Sequence, residues 1–492
     1  MFKIAPSQEP VVEALQSGRA LGSARALTRI DTHMSHVFLA RDRAYKLKRA
    51  VRMPFVDFTT VKLRRAACES ELEVNRRFAP SLYLDVRPLI RGSGGAVILG
   101  GDGEVLDWVV VMRRFADTAL FDGMAARGSL SPALVSEAVE KLACVHAAAP
   151  PTGGGGPQGY FDIVSGLRRT VADGAAAHGL ESGSAALYDV LALEIGRRAA
   201  LIEQRRRDGR VRRGHGDLHL RNICLFEGRA TPFDALEFDP ALATTDVIYD
   251  LAFLLMDLRR RDLRVHGNAA MNSWWNASGE AESGLALLPL FMALRAGVRA
   301  AVAMEAGAAA EAQGYRRLGL ELLAPTPPRL VAIGGLSGSG KSAVARALAA
   351  ELGGACGARL LRTDVIRRAG PDSPDADAYR PEHRAEVYRR LAERAAEAFA
   401  AGCPVIADAT FQDAEARRAM MALRPGHALW LRAERKTRLV RVAARTGDAS
   451  DATVAVAAAQ TEPALEPGWT VVDAEGPLGD VVARARAVLG LE

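Results

Sequence analysis

Residues 335–342, GLSGSGKS, restrict the possible folds of this 492-residue chain more than any other stretch. They match G-x-x-x-x-G-K-[ST], with Gly335, Gly340, Lys341 and Ser342 at the fixed positions. The apolar run RLVAIGG before them reads as a strand and KSAVARALAAEL after them as a helix, the context the pattern requires. Glycines there let the backbone N–H groups of Ser337, Gly338, Ser339 and Gly340 curl around phosphate oxygens, and the helix N-terminus adds partial positive charge. Lys341 would reach the β- and γ-phosphates of a nucleotide, and the Ser342 hydroxyl a Mg²⁺ ion.

Lysine usage makes a chance match hard to sustain. Only seven of the 64 basic residues are lysine (3, 46, 48, 62, 141, 341 and 436), so the chain keeps a compact point charge where it otherwise spends arginine. The rest of the layout follows from length and pattern. A chain this long exceeds one hydrophobic core. After the proline-rich stretch APTPPR, strands and helices alternate, which implies a parallel sheet covered on both faces. Before it, strand-like segments come early (HVFLARDRAYKLKR, VRPLIRG, AVILGG, DWVVVMRRF), and from about Ser131 onward the pattern is helical. The reading is an α+β domain over 1–323, a stiff linker at 324–329 and an α/β domain over 330–492.

Further carboxylates and arginines follow the phosphate loop. Asp364 is read as closing the second strand, in RTDVIRR, with Arg367 one helical turn on. Asp408 closes the third, in VIADAT, where a carboxylate can orient Mg²⁺ or its water. Arg438, Arg441 and Arg445 share one helix face, placed to close over phosphates. Together these segments resemble the small P-loop kinases: gluconate-kinase-like and polynucleotide-kinase-like proteins and zeta-type toxins. That resemblance implies that Asp364 accepts the proton of the acceptor hydroxyl and that Arg367 holds the acceptor or its phosphate.

A second reactive stretch is HGDLHLRN, beginning at His215. For zinc, His215 and His219 would need one helix face and a third ligand, but Gly216 breaks any helix and no H-E-x-x-H occurs. The other reading needs a base, a Mg²⁺ ligand a few residues later and a metal carboxylate after a hairpin. Asp217, Asn222 and, beyond the strands NICLF and TPFDALEF with their turn, Asp234 supply that order, which is the protein-kinase arrangement.

HGDLHLRN, DVIYDLAFL and EKLACVHAAAP more closely resemble the aminoglycoside-phosphotransferase-like kinases. The resemblance implies Asp217 as catalytic base, Asn222 and Asp234 as Mg²⁺ ligands, and Asp250 as a buried brace for the loop. Glu237 and Asp239 are further carboxylates near the metal. In the small lobe, Lys46 or Lys48 should pair with nucleotide phosphates and with Glu71. The backbone near Met112 should contact the adenine, and Ser35, where a glycine-rich loop is missing, should cover the phosphates. The whole chain thus resembles fusion proteins in which a protein-kinase-like α+β domain (aminoglycoside phosphotransferase) precedes an α/β P-loop NTPase domain with a parallel sheet.

The expected activity is bifunctional, alcohol-directed phosphotransfer from ATP, or another NTP, with Mg²⁺ and a small-molecule hydroxyl acceptor. Two alternatives stand beside it: a nucleic-acid 5′-hydroxyl kinase in the C-terminal half, or one domain as an ATP-sensing regulator of the other. A net charge of +6 suits anionic ligands and is a weak argument for nucleic acid. Arg295 and Arg299 share a helix face that reads as solvated or salt-bridged before it reads as meeting an anionic or polyhydroxylated acceptor, and Trp274–Trp275 read as core before sugar platform. Five scattered cysteines without a CxxC pair argue against a disulfide framework. Neither a secretory leader nor a membrane-length apolar run is visible, so the expectation is a cytoplasmic protein without membrane partners. The oligomeric state is left open.

Overall fold

The structure is a computed structural model that describes residues 8–53, 56–179, 186–368, 381–444 and 453–491. The chain packs into two compact units, Met1–Gly159 with Ala200–Leu254, and Tyr160–Ala199 with Leu255–Glu492.

In the first unit, α1 (Glu9–Gln16) precedes strands β1 (Thr28–Asp31), β2 (Ser35–Leu39) and β3 (Arg43–Lys48) and the short pair β4 (Arg52–Met53) and β5 (Val56–Asp57). Helix α2 (Val61–Arg76) follows, then β6 (Tyr83–Arg91), β7 (Val97–Leu99) and β8 (Glu104–Arg113). These build an antiparallel sheet of order β1-β2-β3-β8-β6-β7. Lys46 pairs with Val37 on one side and Val110 on the other, so alternation along β3 puts Lys46 and Lys48 on one face. Helix α2 begins at Thr60, whose hydroxyl accepts the Leu63 N–H at 3.2 Å, and packs on the sheet with Glu71 fully buried.

Helices α3 (Phe121–Ala126) and α4 (Pro132–Ala148) come next, with Ser131 capping α4. α5 (Pro157–Ala177) and α6 (Ala186–Arg207) each contribute residues to both units. The region around HGDLHLRN consists of β9 (Val211–Arg213), the hairpin β10 (Ile223–Phe226)–β11 (Arg229–Pro232), α7 (Pro240–Ala243) and β12 (Thr244–Asp246). Glu227 and Gly228 have φ of 51° and 75°, the left-handed pair that a two-residue hairpin turn needs.

α8 (Val247–Arg260) leads into the second unit, where α9 (Arg264–Ser278), α10 (Leu288–Glu305) and α11 (Ala309–Leu323) continue the helical run. The stretch Glu282–Glu305 is long and apolar enough to cross a membrane, with mean hydropathy 1.7, but 72% of its apolar window is buried inside the protein. Trp274 and Trp275 are fully buried against each other, which is core packing. Arg295 is buried, and the half-buried Arg299 stacks over Tyr315 at 5.7 Å.

Strand β13 (Leu330–Gly334) opens the parallel sheet. It is followed by α12 (Lys341–Ala349), β14 (Arg359–Arg362), α13 (Thr363–Arg368), α14 (Pro381–Ala400), β15 (Val405–Asp408) and α15 (Ala414–Ala422). β16 (His427–Arg432), α16 (Arg435–Ala443), α17 (Val454–Ala459), β17 (Trp469–Asp473) and α18 (Leu478–Leu489) complete it. The strand order is β14-β15-β13-β16-β17, all parallel. Every residue of β13 is buried, because Val331 and Ile333 pack towards α12 and α18 while the alternate residues are covered on the other face.

Candidate active sites

In the first unit, β9 and β12 pair antiparallel, with Arg213 opposite Thr244, and the chain turns out of β9 into HGDLHLRN. Asp250, in the first turn of α8, accepts the N–H groups of His215 and Gly216, both at 2.7 Å, and meets His146 Nε2 at 2.9 Å. A Cβ on Gly214 would lie 2.2 Å from Asp250 Oδ2, and Gly216 has φ +81°, so this turn needs both glycines. The braced loop presents Asp217 with 40% of its side chain exposed. Asn222 Nδ2 donates to the Asp217 carbonyl at 2.9 Å and to its carboxylate at 3.0 Å. His215 Nε2 lies 3.0 Å from the Phe233 carbonyl, and His219 Nε2 lies 3.5 Å from Asp217 Oδ2. Among the described residues, no cluster of three His, Cys, Asp or Glu is set to hold a metal.

Truncating the brace should therefore be costly. Asp250→Ala strands two buried N–H donors, each worth about 1–3 kcal/mol. The expected loss is about 2–6 kcal/mol, read as a lower urea midpoint with an unchanged slope. A midpoint equal to wild type would contradict this geometry.

The hairpin returns the chain to Asp234, which has φ +60° and donates its N–H to Tyr83 Oη at 3.1 Å. Lys46 Nζ donates to Glu71 Oε1 at 2.7 Å and to Asp234 Oδ1 at 2.5 Å, joining residues 25 and 188 positions away. Lys48 Nζ lies 2.5 Å from Glu71 Oε2, an ion contact without hydrogen-bond geometry, and also pairs with Glu237. The two lysines thus differ: Lys46 touches the carboxylate read as a metal ligand, whereas Lys48 is 1% exposed and occupied by Glu71 and Glu237. Glu237 is accordingly buried and paired, and Asp239 caps α7 by accepting the Ala241 N–H at 2.9 Å. Ser35 opens β2 opposite Lys48 and is buried, and Met112, next to last in β8, lies between Ala44 and Tyr83 with its side chain in the core.

Burial opposes charge on Lys46, but Asp234 and Glu71 outweigh it and hold the ammonium well above the ordinary lysine range. Burial would likewise raise Glu71 and Asp234, and the lysines reverse it, so both carboxyls titrate below their usual values. Burial lowers His215, against the pull of Asp250 and Asp217. A lowered histidine stays neutral when folded, so stability is lost as pH falls through the unfolded value of 6.5. The depressed carboxyls add their loss lower, as pH drops below 4.5 and 3.8 toward their folded values. Calorimetry should give a thermal midpoint that holds from pH 7 to about 8 and declines progressively below about 6.5. A midpoint that rises on acidification from pH 6.5 to 5 would exclude this.

In the second unit, the turn from β13 to α12 uses Gly335, Gly338 and Gly340 at φ 143°, 84° and 90°. A Cβ on Gly338 would lie 2.3 Å from the Arg438 carbonyl, and one on Gly335 would lie 2.5 Å from that of Leu431. Ser339 is buried within the loop, and the Ser337 N–H donates to Gln460 Oε1 at 2.7 Å. Lys341 Nζ donates to the Leu336 carbonyl at 3.1 Å, folding back over its own loop. Ser342 Oγ donates to Asp408 Oδ2 at 2.6 Å, because β15 lies beside β13 and ends level with the loop. Burial pushes the Asp408 carboxyl up, against the opposing pull of Lys341 and Arg362.

β14 stops at Arg362, two residues short of the expected boundary, and Asp364 lies in the first turn of α13, where a carboxylate suits the helix dipole. Arg367 Nη2 donates to Asp364 Oδ1 at 3.1 Å. Both line a cavity of about 260 Å³ together with the phosphate loop, Asp408 and Arg441. The arginine face divides. Arg438 is buried and bound to the Ser337 and Ala457 carbonyls, Arg441 reaches the cavity while donating to the Ala474 and Gly476 carbonyls, and Arg445 lies outside the described residues.

Sequence reasoning missed Arg346, Arg384, Tyr388, Thr410 and Gln412, which also line this cavity. Thr410 was within reach, two residues beyond Asp408. Tyr388 and Arg384 sit in the first two turns of α14 without a local motif. Tyr388 Oη meets Thr410 Oγ1 at 2.9 Å and accepts the Phe411 N–H at 3.0 Å, holding Phe411 at φ +47°. Arg362 was missed as well. Its guanidinium lies 3.3 Å from Asp408 Oδ2 and 3.1 Å from Ser342 Oγ.

Fold and sites together set a buried lysine–carboxylate cluster beside a glycine-dependent loop in the first unit, and a phosphate-loop turn at the strand ends of a parallel sheet in the second. A family model described as an AAA domain matches residues 330–467. Uncharacterized protein Rv2004c of Mycobacterium tuberculosis and Uncharacterized protein Mb2027c of Mycobacterium bovis are each 30% identical over 488 residues, covering 92% of this chain and 94% of the relative. The chain belongs to the family of these mycobacterial proteins. Among solved structures, a sugar kinase from Janibacter sp. HTCC2649 matches at 25% identity with TM-score 0.27, over 34% of this chain and 96% of that one. A choline/ethanolamine kinase family protein from Mesorhizobium loti matches at 17% identity with TM-score 0.41, over 64% of this chain and 95% of that one.

Proposed function

We propose that the chain carries two independent ATP-dependent kinase sites, each transferring a phosphoryl group to an alcohol on a small molecule such as a sugar or related metabolite. One observation carries the reading in the first unit: Lys46 bridges Glu71 and Asp234. A lysine that pairs with a helix glutamate and meets the post-hairpin aspartate is what phosphate positioning in a protein-kinase-like site requires. Asp217 is the base for the acceptor hydroxyl, aligned by Asn222 and by the Asp250 brace. In the second unit Lys341 holds the phosphates, Asp364 takes the hydroxyl proton and Arg367 holds the acceptor.

Mg²⁺ fits both donor sets, since Asn222 with Asp234 and Ser342 with Asp408 are hard oxygen ligands. When bound, the ion neutralises phosphate charge. The protein's own groups align the nucleotide and hold the acceptor's proton.

The test is transfer of labelled γ-phosphate from ATP to panels of sugars, amino alcohols, aminoglycosides, nucleosides and 5′-hydroxyl oligonucleotides. Salt-insensitive labelling of small alcohols supports the reading. Labelling of oligonucleotides alone, falling steeply with salt, would replace it for the P-loop half with a 5′-hydroxyl kinase. ATP binding without transfer to any of them would leave a nucleotide-sensing protein in its place.

A further inference from the structure

β14 is the edge strand of the parallel sheet, and its outer side meets side chains instead of another strand. Asn272 of α9 accepts the Leu360 N–H on Oδ1 at 2.7 Å and donates from Nδ2 to the Ala358 carbonyl at 3.1 Å. One turn earlier, Asn268 donates to the carbonyls of Cys356 and Ala358 at 2.8 and 2.9 Å. Two amide side chains on one helix thus satisfy the edge as a neighbouring strand would.

Beside them Arg359, fully buried, places its guanidinium on Glu282 at 2.9 and 3.1 Å, on Asn272 Oδ1 at 2.9 Å and on Asn276 Oδ1 at 2.8 Å. Arg394 of α14 adds a second cation to Glu282 at 2.6 Å. Glu282 is 1% exposed, so a charged network with four partners from 268–282 clamps the start of β14. Three residues further along the strand, Arg362 reaches Ser342 and Asp408. Asp364 follows directly.

We infer that residues 268–282, which precede the linker by more than forty positions, are a working part of the P-loop kinase. Asn272 and Glu282 are positioning residues that set the register of β14 and so place Arg362 at the Ser342–Asp408 pair and Asp364 in the cavity. The physical reason is stiffness. A short edge strand held on one side only can slide or fray, whereas two amides and a buried bidentate ion pair fix it to within a hydrogen-bond length. The inference rests on reading Ser342, Asp408 and Asp364 as the phosphotransfer site. It adds that this site is incomplete without α9 and the turn after it.

The test uses the full chain and hydrogen exchange resolved by segment, with Asn272→Leu, which removes the amide at similar size. Exchange at 358–364 should accelerate at least 100-fold while 341–349 holds its wild-type rate. The Mg·ADP concentration that protects 336–342 should rise about tenfold. Asn272→Asp keeps the acceptor for Leu360 and Arg359 and should recover most of both effects. If Asn272→Leu does not accumulate as folded protein, the comparison of Asn272→Asp and Glu282→Gln with wild type decides by the same readouts. Unchanged exchange at 358–364 would overturn the inference. So would faster exchange there with unaltered Mg·ADP protection, since the edge contacts would then stabilise without positioning. Absence of Mg·ADP protection at 336–342 in the wild type would instead remove the kinase reading, with the exchange arm still deciding whether α9 holds β14.

Discussion

Asp217→Asn should lower phosphoryl transfer by the first unit about 10²–10⁴-fold, the range for losing a positioned general base. The substitution keeps size and the Asn222 contact to the residue 217 carbonyl, and Asp217 is 40% exposed, so folding should survive. Lys341→Ala should cost the second unit about 10²–10³-fold by withdrawing a cation from the transferring phosphoryl group. The informative result is the cross pattern. Two kinase sites demand that each substitution abolish a different activity, measured with the acceptors found for the wild type. If both remove the same one, the halves act as a relay or as enzyme and regulator. If neither has an effect, the site assignments fail.

The second large effect separates the two lysines of β3. Lys48 is the more buried, and Lys48→Met leaves Glu237 without its ammonium inside the protein. Removing one partner of a buried ion pair costs about 3–5 kcal/mol. In a unit of this size that lowers the thermal midpoint on the order of 10 °C. Lys46→Met also removes charge compensation from Glu71, but Lys48 still serves that carboxylate, so the stability loss should be the smaller. Its catalytic loss should be the larger, because only Lys46 meets Asp234. The expected split is a nucleotide KM raised about tenfold or more in Lys46→Met and nearly unchanged in folded Lys48→Met. Equal kinetic losses would assign phosphate contact to both.

These two predictions mark where local sequence stops being informative. The phosphate loop, the HGDLHLRN loop and the strand carrying Asp408 are legible because their geometry is built into consecutive residues. Glycines at 335, 338 and 340 must take left-handed turns, Gly214 must clear Asp250, and Asn222 must follow Asp217 at hydrogen-bonding distance. Alternation along β3 placed Lys46 and Lys48 on one face and could go no further, since their partners lie 23 to 189 residues away. Arg295 and Arg299 show the same limit. Their helical spacing is real, but the first is buried and the second is stacked on Tyr315.

What the sequence determined by itself is the order of the parts and the turn geometry of two loops, since strand–loop–helix periodicity and turn stereochemistry are short-range. What tertiary structure alone decided is which charges meet. Lys46 rather than Lys48 faces Asp234, Arg362 stands at the Ser342–Asp408 pair, and Arg359 is enclosed by Glu282, Asn272 and Asn276. Arginines on a strand look alike in a sequence rich in arginine. Only burial, which makes an unpaired charge too costly to keep, selects a partner for each.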